Sequence, residues 1–374
     1  MDNIKVPFYA KASLIFIGLF TFISMLYIAR GIIVPIIYAT VIAILLSPLV
    51  NFFVRKKINR VLAITISLGL LCIVTISFVV LLSSQLNVFT ESFPRMLDKF
   101  YEMINKGVLW ASANFNISTE KINSFISVSK TSILNSSKVG IGNTLNTMGS
   151  AVILIFLIPV YVFMILFYHP LLLDFIRRLF GQSNIKEVNA VLSTTKTIVQ
   201  KYLVALLLEA AIIATMNAAG LLILGIDYAI VLGIIGALLN VIPYIGGVVA
   251  VALPMMVALV TKSSPSYALL VLALYIIIQF IDNHYIIPKI VASKVKINAL
   301  ISIIVVITFG ALWGIPGMFL SIPLTAIIKV IFDHIDSLKP WGFLLGDTMP
   351  AIAIFKIKRK KSNLLKLNEL KKTA

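Results

Sequence analysis

The sequence predicts an all-α membrane protein with about six full spans and two broken helical hairpins that enter the membrane without crossing it. Hydrophobic residues make up 60% of the 374 positions and charged residues only 12%. The mean hydropathy is +1.05, and a water-soluble domain carries about 25% charged residues. Two further apolar segments, residues 229–260 and 299–334, are interrupted near their centres. Composition and these interruptions together define the fold class.

The six full spans are apolar stretches of about 20 residues, the length that crosses a hydrocarbon core of ~30 Å. Short basic segments alternate between them, as in the cytoplasmic loops of multi-pass proteins. The densest basic segment is residues 55–60. We place it, together with both termini, on the cytoplasmic side of a bacterial inner membrane. Cys72 is the only cysteine, so no intramolecular disulfide can form. The predicted spans are residues 12–29, 32–54, 61–86, 150–168, 202–224 and 266–287.

Residues 87–149 form the longest polar interval, yet Phe93, Leu97, Phe100 and Ile104 recur at helical spacing. We expect amphipathic helices on the non-cytoplasmic side that lie on lipid or pack between subunits. A second, weaker stripe falls at residues 122–133, and a comparable one follows the fourth span on the cytoplasmic side.

The two interrupted segments would run on the order of 48 and 54 Å as straight helices, too long for one comfortable span. The first is broken at residues 240–247 and the second at residues 314–317. Irregular backbone inside a bilayer must be buried in protein or face a watery cavity. Hairpins also keep the basic clusters on one side, because a straight first segment would carry Lys289, Lys294 and Lys296 outside. The two segments therefore predict re-entrant hairpins.

The layout also predicts an inverted repeat in the C-terminal half. The fifth span with the first hairpin would be the upside-down counterpart of the sixth span with the second. Glu209 and Pro243 are 34 residues apart, and Gln279 and Pro316 are 37 apart. Inverted repeats and paired broken helices are typical of secondary transporters, which bind their substrates at such breaks.

Three motifs occur in order along this half of the chain. They are LLNVIPYIGG at residues 238–247, QFIDNHYIIPKI at residues 279–290, and FGALWGIPG at residues 309–317, followed by Ile322-Pro323. With these motifs the chain resembles the autoinducer-2 exporter family of bacterial permeases over about residues 10–337. The resemblance implies export of a small polar metabolite or signalling molecule, and homo-oligomers such as pentamers.

Two observations leave the identity of the substrate open. Some members of that family resemble cation/proton antiporters, so sodium/proton exchange is the alternative activity. The chain also departs from the family pattern at two positions. Ala205-Leu206 stands where the family usually shows Gly-Gln, and Ser293 stands where it favours glycine.

Ionised side chains at mid-membrane cost about 2.5–3.5 kcal/mol each, so Glu209 and Asp282 require an explanation. Glu209 shares a face of the fifth span with Asn217, which indicates proton or cation coupling. The structural alternative is an ion pair with a nearby lysine or arginine. Gln279, Asp282 and Asn283 share a face of the sixth span and form either a coordinating patch or a polar helix end.

The hairpin tips are expected to act through their backbone. Proline interrupts the helical hydrogen bonds and glycine permits close approach. Freed carbonyls can coordinate a cation, and exposed N–H groups can hold an anion. Ordinary kinks in long tilted helices are the alternative. The candidate residues at the tips and after the sixth span are Asn240, Pro243, Tyr244, Gly246, Gly247, Pro288, Gly314, Pro316 and Gly317.

No nucleophile elbow, phosphate loop, zinc-protease motif or close histidine pair occurs in the sequence. We therefore expect no enzyme activity, no cofactor and no metal site. The net charge of +18 includes a basic tail, which we expect to lie on anionic lipid rather than nucleic acid.

Two classes of function follow: a secondary transporter, or a non-transporting membrane scaffold that recruits partners. The hairpin tips and Glu209 favour transport, because a scaffold needs neither. The expected domains are a three-span scaffold, a non-cytoplasmic amphipathic region, the fourth span with its cytoplasmic segment, a transport unit and a basic tail. Their residues are 1–86, 87–149, 150–201, 202–337 and 338–374.

Overall fold

The structure, a computed structural model, describes residues 7–115, 144–180, 185–242, 246–292 and 296–347. These ranges contain helices and no strand, which confirms the predicted fold class. A π-helix, Asp282–Ala292, continues α9, and a short 3-10 turn, Asp336–Leu338, precedes α11. The α-helices are α1 Phe8–Ile28, α2 Arg30–Arg55, α3 Arg60–Phe115, α4 Thr144–Phe167, α5 His169–Leu179, α6 Ile185–Ile223, α7 Ala229–Asn240, α8 Gly246–Thr261, α9 Ser266–Ile281, α10 Ala299–His334 and α11 Lys339–Leu345.

By length and composition, six helices in the described ranges could cross a membrane, and α10 is one of them although it reverses at Gly314, as described below. The end of α4 and all of α5 pass the same test as a pair, although they are bent by 65° at the break between them. The protein is therefore a multi-pass membrane protein, as predicted. Two bounds differ widely: α6 begins at Ile185 rather than at residue 202, and α3 ends at Phe115 rather than at residue 86.

Helix α3 is continuous over 56 residues, on the order of 84 Å. The predicted domain boundary after residue 86 lies inside it, because neither glycine nor proline occurs between Gly69 and Pro94 to end the helix. Its C-terminal half packs on the first hairpin, where Phe89 and Met96 join a buried apolar cluster with Leu232 and Val257. The stripe at residues 122–133 lies outside the described residues.

The two largest apolar clusters lie in different parts of the described chain. The first joins α2, α3 and α4 through Ala39, Ala43, Ile64 and Val162. We call α1 to α4 the frame. The second joins the end of α6 to the first hairpin and α9, through residues such as Leu221, Leu232, Val257 and Val271.

The first predicted hairpin is confirmed. Helices α7 and α8 have 12 and 16 residues, each too short to cross a membrane. A methyl group built on Gly236 would lie 3.7 Å from the Cβ of Ala250. A straight helix would separate those positions by about 21 Å. The chain therefore reverses between α7 and α8.

The second hairpin lies within α10. Gly314 has φ 69° and ψ −152°, a conformation that interrupts the helix and favours glycine. A methyl group on Gly310 would lie 2.7 Å from Cε of Met318, although eight residues of straight helix span about 12 Å. At the base, Asn298 N donates to the Leu345 carbonyl oxygen at 3.2 Å, so the two ends of the segment meet. The inverted relation between the two hairpins stays a prediction.

Replacing Gly317 with alanine is expected to destabilise the second hairpin. The added methyl group would overlap the carbonyl oxygen of Phe309 and lie 2.9 Å from Cβ of Trp313. Overpacking of this kind costs about 1–3 kcal/mol. The melting temperature in detergent should fall. In the control Gly69→Ala on α3, where the added methyl meets nothing within 4 Å, stability should rise by up to ~1 kcal/mol. Equal melting temperatures for Gly317→Ala and wild type would contradict the reversal.

Candidate ion and substrate site in the membrane

One face of α6 is buried at intervals of three and four residues, and it includes two polar side chains. Glu209 is 7% exposed and Asn217 is 2% exposed. This face packs against α7, where Gly233 approaches the backbone of Ala218 closely. The buried residues of this face are Val199, Tyr202, Ala205, Glu209, Ile213, Asn217 and Leu221.

Asp282 is fully buried at the point where α9 becomes a π-helix. Its Oδ2 accepts a hydrogen bond of 2.9 Å from Nδ2 of Asn240, the last residue of α7. Its other carboxyl oxygen, Oδ1, is buried and has no protein partner. The sixth span thus places a carboxyl group beside the break in the first hairpin.

Two glycines make room for the neighbouring polar side chains. Nδ2 of Asn217 and the hydroxyl of Tyr275 lie 3.1 and 3.2 Å from where a Cβ would stand on Gly236. Oε1 of Gln279 lies 2.5 Å from the corresponding point on Gly247. Asn240 Oδ1 also borders Gly247, at 3.3 Å, and Gly246 packs on the backbone at the end of α7. We call Glu209, Asn217, Asn240, Tyr275, Gln279 and Asp282 the polar cluster.

No basic side chain among the described residues pairs with the carboxyl groups of the polar cluster. Glu209 and Asp282 are close enough to repel each other electrostatically. In the described part of the chain, the ion pairs involve neither carboxyl group. The structural alternative for Glu209, a paired lysine or arginine, thus has no partner there. A buried, unpaired carboxylate is costly, so each of these groups requires a proton or a bound cation.

The fully buried atoms of the polar cluster that lack a hydrogen-bond partner among the described residues are all oxygens. They are Oδ1 of Asn217, the hydroxyl oxygen of Tyr275 and Oδ1 of Asp282. Buried polar atoms are normally hydrogen-bonded, so three together indicate a missing partner. Carboxylate and carbonyl oxygens bind hard cations, and they also accept hydrogen bonds from a polar solute. The described residues contain no group of three or more His, Cys, Asp or Glu suited to a metal.

The second hairpin tip lies against the frame. The hydroxyl of Tyr38 on α2 donates to the Pro316 carbonyl oxygen at 3.0 Å. Nε1 of Trp313 donates to the carbonyl oxygen of Leu26 on α1 at 3.1 Å. Gly314 and Pro316 are exposed at this tip, whereas Gly317 is buried. The Pro316 carbonyl oxygen at this tip therefore accepts a hydrogen bond from a tyrosine that sequence reasoning missed.

Two further predicted site residues, Asn283 and Pro288, do not join the polar cluster. The side chains of Asn283 and Pro288 are exposed. Asn283 lies off the buried stripe, which runs through Tyr275, Ile278 and Asp282. Pro288 lacks the N–H that an α-helix needs, and here a π-helix forms around it. Pro243 and Tyr244 lie outside the described residues.

Residues 14–337 match the description "AI-2E family transporter". The chain belongs to the AI-2E transporter family. This AI-2E family chain is 29% identical over 322 residues to "AI-2 transport protein TqsA" of Escherichia coli K12, covering 85% of this chain and 90% of the relative. It is 26% identical over 340 residues to "Putative transport protein YueF" of Bacillus subtilis, covering 87% and 88%. Membership confirms the resemblance and identifies the AI-2E family chain as a membrane transporter or permease.

Proposed function

We propose that this protein is a secondary transporter that moves a small polar metabolite or signalling molecule past the polar cluster. The observation that carries the proposal is Asp282, fully buried beside the first hairpin break with one carboxyl oxygen unpartnered. A binding site between a discontinuous helix and a neighbouring span is the arrangement that secondary transporters use. The relative TqsA is named for AI-2 transport. That name supports a signalling molecule as the first substrate to test.

A cation/proton antiporter is the second candidate. Every fully buried atom of the polar cluster without a hydrogen-bond partner is an oxygen, and the two carboxyl groups in it have no basic partner among the described residues. Oxygen atoms and a titratable carboxyl group can bind a sodium ion and a proton in alternation. The scaffold alternative accounts for none of these features.

Flux into proteoliposomes separates these functions. The purified chain is reconstituted and supplied with AI-2 and a panel of small polar metabolites, under imposed sodium or pH gradients. Uptake of a labelled metabolite supports the first candidate. Sodium-driven pH change in the absence of any metabolite supports the antiporter. Neither signal from correctly inserted protein, with empty liposomes as the control, would contradict transport and favour the scaffold.

We further propose a bacterial inner-membrane location with both termini in the cytoplasm. Cysteines placed at positions 59 and 294 should then react with a membrane-impermeant maleimide only after permeabilisation, and a cysteine at position 106 should react in intact cells. The background is Cys72→Ser, since Cys72 is the only native cysteine. The reason is that basic segments stay in the cytoplasm. Labelling of position 294 in intact cells would contradict the hairpin topology.

The working assembly is proposed to be a homo-oligomer, with a pentamer as the form that family resemblance implies. In support, α1 is apolar and has no buried residue within one chain. Its outward-facing side chains are free to meet lipid or another copy. Within each copy, the two hairpins with α6 and α9 would move as one body against the frame, a common mechanism for repeated transport units. The basic tail would lie on anionic lipid.

A further inference from the structure

Helix α5 has the properties of a helix that lies in the membrane interface. It leaves α4 at a bend of 65° and is 11 residues long. Leu171, Phe175 and Leu179 recur every fourth residue and are 61%, 62% and 66% exposed. Arg177 lies on the opposite, polar face of the helix. An exposed apolar stripe below a basic face is the pattern of a helix seated at the boundary between acyl chains and headgroups.

At the start of this helix, cationic side chains from three different elements surround His169. Arg60 at the start of α3, Arg177 on α5 and Lys196 on α6 all lie close enough to act electrostatically on its imidazole ring. We call these four residues the rim cluster. Burial and these three cations lower the pKa of His169, so the positive charge of the rim cluster belongs to Arg60, Arg177 and Lys196, which repel one another unless an anion lies among them.

Protein acceptors hold the rim cluster in place without neutralising it. A terminal guanidinium nitrogen of Arg60 donates to the Leu166 carbonyl oxygen at 2.8 Å, and Nε of Arg177 donates to Oδ1 of Asn189 at 2.8 Å. Both acceptors are neutral, and each arginine keeps further N–H donors. The nearest acid along α5, Asp174, pairs instead with Arg178 at 2.9 Å. None of the ion pairs found in the described ranges involves Arg60, Arg177 or Lys196.

We propose that the rim cluster binds the phosphate of an anionic phospholipid, whose acyl chains lie along the exposed apolar stripe of α5. The phosphate supplies the negative charge that the protein lacks there. Arginine forks match its oxygens in geometry. A lipid fits better than a soluble anion, because the same short helix presents Arg177 on one face and exposed apolar side chains on the other. This site is separate from the polar cluster and from the basic tail.

Native mass spectrometry of the full chain in detergent, titrated with dioleoylphosphatidylglycerol or dioleoylphosphatidylcholine, tests the proposal. The wild-type protein should retain the anionic dioleoylphosphatidylglycerol in preference to the zwitterionic dioleoylphosphatidylcholine. Arg177→Gln with Lys196→Gln should weaken that binding about 30-fold, since each basic residue near an anionic surface contributes ~1 kcal/mol and 1.4 kcal/mol is tenfold. The matched control, Lys56→Gln with Lys57→Gln, removes the same charge at exposed positions nearby and should keep the preference.

Three results would overturn the proposal. One is equal loss in the rim and control variants, which would indicate unspecific charge attraction. Another is displacement of the lipid by inorganic phosphate at millimolar concentration, which would indicate a soluble-anion site. The third is equal retention of the two lipids by wild type. Should the double variant fail to elute as a folded protein, Lys196→Gln alone serves the same comparison, with an expected loss of about fivefold.

Discussion

Replacing Asp282 with asparagine is expected to reduce flux by about tenfold or more while the protein stays folded and inserted. An asparagine can still present an oxygen to Nδ2 of Asn240, which now donates to Asp282 at 2.9 Å. Only the titratable charge is lost. Glu209→Gln should act in the same direction, because Glu209 is buried and electrostatically linked to Asp282. A tenfold effect corresponds to about 1.4 kcal/mol, a modest demand on a buried charge.

The measurement is initial flux in proteoliposomes, normalised to inserted protein. Asp227→Asn is the matched control, because Asp227 is an exposed acid in the turn after α6 and its neutralisation should leave flux unchanged. Loss of detergent-stable protein in both cluster variants would assign Asp282 and Glu209 to structure instead. Wild-type flux in both would remove them from the mechanism.

Cross-linking the second hairpin tip to the frame is expected to arrest flux reversibly. The hydroxyl of Tyr38 lies 3.0 Å from the Pro316 carbonyl oxygen, and the side chain of Ile315 is exposed beside it. Cysteines at positions 38 and 315, on the Cys72→Ser background, would be joined by a short thiol reagent with a reducible bond. If the hairpins move against the frame, the link blocks that movement until it is reduced.

Single-cysteine variants treated with the same reagent are the controls, since they carry the label without the link. Their flux should match that of the untreated proteins. Reduction should then restore flux in the doubly substituted protein. Efficient cross-linking with undiminished flux would show that this tip does not move relative to α2 during transport.

The broken segments were predictable from sequence because their cause is local. Proline and glycine that occur close together in an apolar run interrupt the helical hydrogen bonds, so residues 240–247 and 314–317 could be recognised as breaks, whereas single prolines such as Pro48 and Pro254 lie inside helices. The shared face of Glu209 and Asn217 follows from helical periodicity alone, and the structure buries both. The length of α3 was harder to predict from the sequence, because an apolar stretch marks where a helix meets lipid and not where the helix ends.

Other features depend on the tertiary fold. Tyr38 and Pro316 are 278 residues apart, and nothing near either one indicates the hydrogen bond between them. Asn283, in contrast, was wrongly included in the site. Its spacing from Gln279 suggested a common face, but the buried stripe passes through Ile278 and Asp282 and leaves Asn283 exposed. Periodicity defines a face, whereas only packing decides which of two adjacent faces is buried.

The contact that anchors the second tip can form only late in biosynthesis. Trp313 reaches back 287 residues to the carbonyl oxygen of Leu26. At about 5–20 residues per second, a ribosome needs roughly 15 to 60 s to make the intervening chain. The first two helices are thus inserted long before their partner exists, and this contact is among the last to form. Nascent chains that stop before Trp313 leave that surface of α1 and α2 uncovered, as a target for quality-control proteases.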